Sequence, residues 1–441
     1  MSKIKQIIAV FILLGFTTLL QAKEKNQDGR LQPQPVDISQ HRPNAPSLDE
    51  FINAAVSHSE QMGAERAQEK VVEMEIAIAE TGYLPNIQAE AIDSKGFAGS
   101  TSALGIIGVI GSPYRSGYGY GVTATQTLWD FGRTSHLTDL ARAQFAAQKG
   151  RSELTKVDIM QGALDVYLQC ALARNERESW EDIAKLSAVV TREIDNYVRT
   201  GQRSVVERLL AKTQNDEAVR SIDSLDKRIL FVRQRMVVIT GRPSEQSDCR
   251  PLEEVTAVHS AVSDSRNPLL TQSLLNLNVA LEQVNEARAG YRPKLLALAS
   301  IGDFESARLV PEQNYALGIG LTFPLFDSNV TNTKWQQARA QAYESQHEVL
   351  SAQQTVSEVN LKFDEEISAA KVELDHLQEE LKDSELAVRI ARQRYESMRG
   401  TLVDLREAIR NLETERLENG SAQLRLLRAK NLKEIYNGQK F

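Results

Sequence analysis

Two acids three residues apart, Asp404 and Glu407, have a spacing that suggests chemistry. On a helix that interval puts both carboxylates on one face. Repeated around a symmetry axis, such pairs form a ring suited to passing cations or being blocked by them. Without a symmetry partner they are an ordinary solvated surface. Other reactive patterns are sparse. His41, His58, His136, His259, His347 and His376 are scattered without zinc-type spacing, and His347 and His376 read as helix surface. Neither a nucleophile elbow nor a Walker loop occurs. The run Gly117-Tyr118-Gly119-Tyr120-Gly121 lacks the strand-before, helix-after setting of a phosphate cradle. Aromatics alternating with glycine instead suit a barrel strand with an outward apolar face. Asn329-Val330-Thr331 fits a glycosylation pattern, but it sits where a strand gives way to a helix and is discounted. An enzyme, a cofactor or a metal centre is therefore not expected.

The acids follow a long helical stretch. Val330 to Arg399 holds no glycine or proline, and its apolar residues step by three and four. They include Val349, Ala352, Val356, Val359, Phe363, Ile367, Leu374, Leu381, Val388, Tyr395 and Met398. The mean step lies close to that of a seam held against a partner helix. Two successive steps of four, from Val359 through Phe363 to Ile367, mark a local relaxation of the supercoil. Such a helix extends about 105 Å, several times a small domain.

Composition favours helices. The 441 residues include only 12 prolines and 6% aromatics, and the length suggests two or three domains. A net charge of -7, with no basic cluster, gives no footprint for nucleic acid. Residues 1–22 read as a secretory signal: Lys3 and Lys5, an apolar run from Ile7 to Leu20, then Gln21 and Ala22. Lys23 follows, so no lipid-bearing cysteine is expected there. Elsewhere no apolar stretch reaches transmembrane-helix length. Export permits a disulfide between Cys170 and Cys249. A cysteine on a helical face is more often a small buried hydrophobe, so two unpaired thiols are expected.

Read in order, the chain repeats itself. Residues 23–46 form a polar, proline-containing leader. The first repeat spans 47–240. Ser47 and Glu50 form a capping box that opens a helix running to about Thr81. Strands over about 83–97 and 116–129 alternate with period two, and a long helix and a return helix follow. Residues 241–267 read as a linker, 268–436 as the second repeat with strands over about 294–304 and 315–326, and 437–441 as a tail. Tyr83 and Pro85 recur as Tyr291 and Pro293. Leu128-Trp129-Asp130 recurs as Leu325-Phe326-Asp327 at an offset of 197. That offset persists to Ser204-Val205-Val206-Glu207 and Thr401-Leu402-Val403-Asp404. Unrelated rods would not share that length, so the chain is an internal duplication.

Four strands cannot close a barrel, and an open sheet edge cannot survive in lipid. Three chains would supply twelve strands under cyclic symmetry, whereas two would make a barrel filled by side chains. The expected fold is thus mainly α with a β-hairpin membrane part. Three copies would form a 12-stranded barrel facing outer-membrane lipid, continued by a long periplasmic helical barrel. Trp129, Asp130, Phe326 and Asp327 would mark the barrel-to-helix junctions.

The duplicated helix–hairpin–helix plan resembles the TolC family of outer-membrane efflux proteins, over nearly all of the chain after residue 47. The tyrosine–proline pairs, Leu325-Phe326-Asp327 and the turn Gly400-Thr401-Leu402-Val403-Asp404-Leu405 carry the resemblance. It implies a homotrimeric exit duct that works with a periplasmic adaptor and an inner-membrane pump or secretion ATPase. The cargo would be small molecules or a secreted protein. It further implies a periplasmic constriction at Tyr395, Asp404 and Glu407. Adaptor-docking tips would include Gly201, Arg203, Val206, Glu207, Gly400, Thr401 and Val403. The arginine of the family's pattern falls at Gly400, beside Arg399. Glu207 is the first repeat's counterpart of Asp404, with Arg203 placed to pair nearby. The rival from another class is a trimeric coiled-coil surface or adhesive protein.

Overall fold

The structure, a computed structural model, describes residues 45–95, 116–243, 248–255, 267–304 and 312–438. The expected signal, nearly all of the leader, much of the linker, both hairpin loops and the last three residues lie outside them. Helices α1 (Leu48–His58) and α2 (Glu60–Glu80) lead through a 3-10 turn, Thr81–Tyr83, into strand β1 (Asn86–Lys95). Strand β2 (Ser116–Trp129), helix α3 (Arg133–Arg199) and helix α4 (Val205–Thr240) complete the first half. A short 3-10 turn, Leu252–Glu254, lies in the linker. The second half is α5 (Pro268–Ala289), β3 (Lys294–Phe304), β4 (Glu312–Thr322), α6 (Val330–Glu396) and α7 (Leu402–Tyr436).

The duplication is plain in the helices, since α3 and α6 are each 67 residues long. At about 1.5 Å per residue each extends roughly 100 Å. Both turns pivot on one left-handed residue, Gly201 (φ 72°) and Met398 (φ 59°), again 197 positions apart. Glycine adopts that conformation freely, whereas at Met398 the second turn must hold a side chain against its preference. Met398 therefore belongs to the turn and not to the helical seam.

Two other boundaries differ from expectation. The leading helix is broken at Ser59, whose hydroxyl accepts from the Met62 amide and starts a second helix. Strand β4 ends at Thr322, leaving Leu325 and Phe326 beyond the sheet and 87% exposed.

The four strands form one antiparallel sheet in the order β1-β2-β3-β4. Residues paired across the ladder share a face. One face therefore carries Ile87, Val122, Ile301 and Tyr315, continuing through Leu317, Ile319 and Leu321 along β4. The β4 residues of this face are 67–86% exposed, an apolar surface that no described residue covers. The other face presents Gln88, Thr123, Thr125 and Ser300. Among the described residues β1 and β4 each have only one neighbour.

Two cores tie the helices together. One joins Phe51, Ile52, Leu164, Tyr167, Met236 and Ile435 near the middle of the long helices. Phe363, where the apolar spacing relaxes, packs against it and meets Tyr436 with ring centroids 5.9 Å apart. The other, nearer the turns, holds Ile183, Val190, Ile194, Val388, Tyr395 and Ile409.

The thiols overturn the expectation of free cysteines: Cys170 and Cys249 are joined, with Cα atoms 6.1 Å apart. Helical spacing showed that Cys170 is buried but could not show the linker folding back onto it. That return is fixed by Asp248, which accepts from Arg174 at 2.5 Å, and by Tyr167. The Tyr167 hydroxyl donates to the Pro46 carbonyl and accepts from the Arg250 amide. Leader, linker and α3 are thus clasped at one place.

Candidate functional site

The two turns meet in a clasp. Tyr395, the penultimate residue of α6, is buried, and its hydroxyl donates to Glu207 at 2.6 Å. The Arg203 guanidinium lies 4.3 Å from the Tyr395 ring centroid. Arg203 also donates to the carbonyls of Tyr395 and Gly400, at 3.3 and 3.2 Å. The Tyr395 carbonyl lies at the C-terminal end of α6, where partial negative charge favours a cation, and the Gly400 carbonyl lies in the turn that follows. Arg203 Nε stands 3.9 Å from Glu207, and the Tyr197 ring closes the cluster, its centroid 6.4 Å from that of Tyr395. Burial, then the bond to Glu207, raises the Tyr395 phenol above the usual tyrosine range. The hydroxyl stays protonated and able to donate.

In the duplicated frame Gly400 is the counterpart of Arg203, and the first repeat supplies the cation that the second lacks. Gly400 is also crowded: an added Cβ would lie 3.1–3.2 Å from Arg394 and the Tyr395 amide. A side chain at 400 would have to displace the end of α6.

Asp404 and Glu407 both lie exposed on α7. Asp404 forms a capping box with Thr401, accepting from the Thr401 amide at 3.2 Å while its own amide donates to the Thr401 hydroxyl. Those bonds hold the Asp404 carboxyl below the usual range. Asp404 therefore starts α7, a structural duty that the acid spacing did not reveal. Val206 and Val403 are 61% and 68% exposed at the tips.

At the other end of the long helices the junction residues form matched devices. Asp130 is buried and accepts from the amides of Gly132 and Thr134, the Thr134 hydroxyl, and the Tyr83 hydroxyl at 2.9 Å. Burial alone would raise its carboxyl, but these bonds outweigh it and hold it below the usual range. Asp327 likewise accepts from the Thr331 amide at 2.8 Å and from the Thr331 hydroxyl. Each aspartate precedes two left-handed residues, Phe131 and Gly132 or Ser328 and Asn329. The same geometry thus turns both strands into helices. Trp129 stacks edge-on to Phe131 with centroids 6.2 Å apart, while Phe326 stands exposed. Arg292, between α5 and β3, donates to the Phe131 carbonyl and ties the second half to the first junction.

Among the described residues, His136, Asp139 and Glu282 bring potential ligand atoms within 4.8 Å of one another. Each already has a partner: Arg292 lies 3.4 Å from His136, Arg142 is 3.6 Å from Asp139, and Asn285 donates to Glu282. A second cluster, Cys170, Asp248 and Cys249, is taken up by the disulfide. No described helix is long and apolar enough to cross a membrane.

An apolar-faced sheet with two unfilled edges, carried on paired helices about 100 Å long, defines a membrane channel protomer. The sequence matches the outer membrane efflux protein family over residues 51–229 and 262–435, and the chain belongs to that family. It is an outer-membrane exit duct with a large periplasmic helical part. A comparison with curated proteins finds no match. Among solved structures the fold is similar to VceC of Vibrio cholerae, with a TM-score of 0.72 at 16% identity. That likeness covers 89% of this chain and 96% of that one. CmeC of Campylobacter jejuni is similar at a TM-score of 0.68 and 13% identity, covering 93% and 95%. The open state of MtrE from Neisseria gonorrhoeae gives 0.67 at 19% identity, covering 92% and 96%.

Proposed function

We propose that three copies close one 12-stranded barrel and one coaxial helical conduit, held shut at the periplasmic tip by the Tyr395–Glu207–Arg203 clasp. The observation that carries this is the sheet itself, whose apolar face and two single-neighboured edges require further strands in lipid. The duct is passive: an inner-membrane pump or secretion ATPase delivers the substrate, and a periplasmic adaptor joins the two. Asp404 and Glu407, repeated three times, would line the tip with carboxylates and favour cations there. Gly201, Arg203, Val206, Glu207, Gly400, Thr401 and Val403 offer the surface on which the adaptor seats. A photo-crosslinking residue placed at Val206 or Val403 should form an adduct with the co-expressed adaptor, while one at Tyr315 should not. Export that remains intact with adducts at neither tip position would contradict this assignment.

A further inference from the structure

The internal duplication indicates where the next protomer sits. Adding 197 to a position in α3 or α4 gives its counterpart in α6 or α7. Within the chain, the α6/α7 hairpin buries one face against α3/α4, with Val388, Leu405 and Ile409 packed among Ile183, Val190 and Ile194. Ion pairs bridge the same seam, Arg416 to Asp182 at 3.2 Å and Arg392 to Glu193. The counterparts of Val388, Leu405 and Ile409 are Thr191, Arg208 and Lys212. These are not packed into a core. With Arg192, Asp195 and Arg199 they line a groove of about 530 Å³ between α3 and α4. It holds four cations and one acid, Asp195, which engages Arg199 and lies 3.6 Å from Arg208.

In a closed ring of equivalent hairpins, the face that the second hairpin uses inside the chain is the face that the first uses between chains. What reaches the groove is then the side of α6/α7 that corresponds to Ile183, Val190, Ile194 and Ala218. Those counterparts are Glu380, Ala387, Ala391 and Glu415. Glu380 and Glu415 face each other across α6 and α7. Burial, then the Glu380 carboxylate, raises the Glu415 carboxyl above its usual range. Ala391 also packs against the in-chain core, while the exposed Ala387 leaves room for arginine and lysine stems. We propose that the groove is the seat of a second copy of this chain, whose Glu380 and Glu415 meet Arg208 and Lys212. The ring would then alternate apolar seams within chains with charged seams between them. This rests on the trimer proposed above.

The in-chain pair Arg416–Asp182 has the interchain counterpart Val219–Glu379, and Val219 is 45% exposed. In membranes holding V219C/E379C, a short bismaleimide should link chains into covalent dimers and trimers on a denaturing gel. An intact trimer by native mass with no interchain link would overturn the charged seam and leave the trimer standing. A monomer would overturn both. In a second arm, R208E/K212E should lower trimer stability in low salt about tenfold or more, since like charges brought together repel strongly. Adding E380K/E415K should restore it. Unaltered stability of R208E/K212E, or failure of the added lysines to restore it, would overturn the pairing.

Discussion

Replacing Tyr395 with Phe isolates the clasp from its packing. The ring stays under Arg203 and against Tyr197, and only the 2.6 Å bond to Glu207 is lost. A hydrogen bond to a charged group contributes about 1.5–3 kcal/mol. Glu207 is partly exposed and keeps Arg203 at 3.9 Å, which places the loss near the lower end. Three protomers opening together would lose about 4–5 kcal/mol, roughly a thousandfold in the closed-to-open ratio. In planar bilayers the Y395F channel should show a markedly higher mean conductance than the parent, with E207Q between them. Alkaline pH should act similarly. The folded phenol titrates above its unfolded value of about 10, so the clasp persists below that value and is lost as pH rises through the higher folded one. A Y395F channel that melts like the parent and conducts no more than it does would refute the clasp as the gate.

Other perturbations test the rest. D130A should destabilise the protein by about 2–4 kcal/mol in thermal melts, because it strips a buried cap of four donors. The stabilisation from Asp130 is present above a carboxyl's ordinary value of about 4 and lost as pH falls through the depressed folded value, so D130N should flatten that acid limb. C170S/C249S should cost up to about 4.5 kcal/mol by loop entropy across a separation of 79 residues, read as a lower denaturation midpoint that reductant no longer shifts. D404N/E407Q, which retains an oxygen acceptor at the Thr401 cap, should weaken block by multivalent cations. Unaltered block would place the selectivity ring elsewhere.

The fold was largely legible because its signals are periodic and long. The 197-residue offset, the apolar–polar alternation of the strands and the glycine-free stretch after Val330 act over tens of residues, and local exceptions do not erase them. The features that eluded the sequence depend on contacts between distant segments. Cys249 reaches Cys170 only because Asp248 binds Arg174 and Arg250 meets Tyr167, and no local pattern carries that information. Ser59 could have been recognised as a cap, but Gly63 and the continuing helical composition obscured the break. At the tip, the second turn carries glycine where the first carries arginine. Aligning Gly400 with Arg203 was feasible from the offset alone, yet only the packing shows Arg203 reaching across to the carbonyls of Tyr395 and Gly400. The charge of Asp404 suggests a selectivity role, and the pattern Thr401-x-x-Asp404 also encodes a capping box.

The central claim, that one chain supplies a third of a closed barrel, is tested most directly by the native mass of the purified protein in detergent. The expected result is a complex of three chains that survives removal of lipid. A monomer or dimer that still inserts into bilayers and conducts would contradict it, because four or eight strands would then be forming the duct.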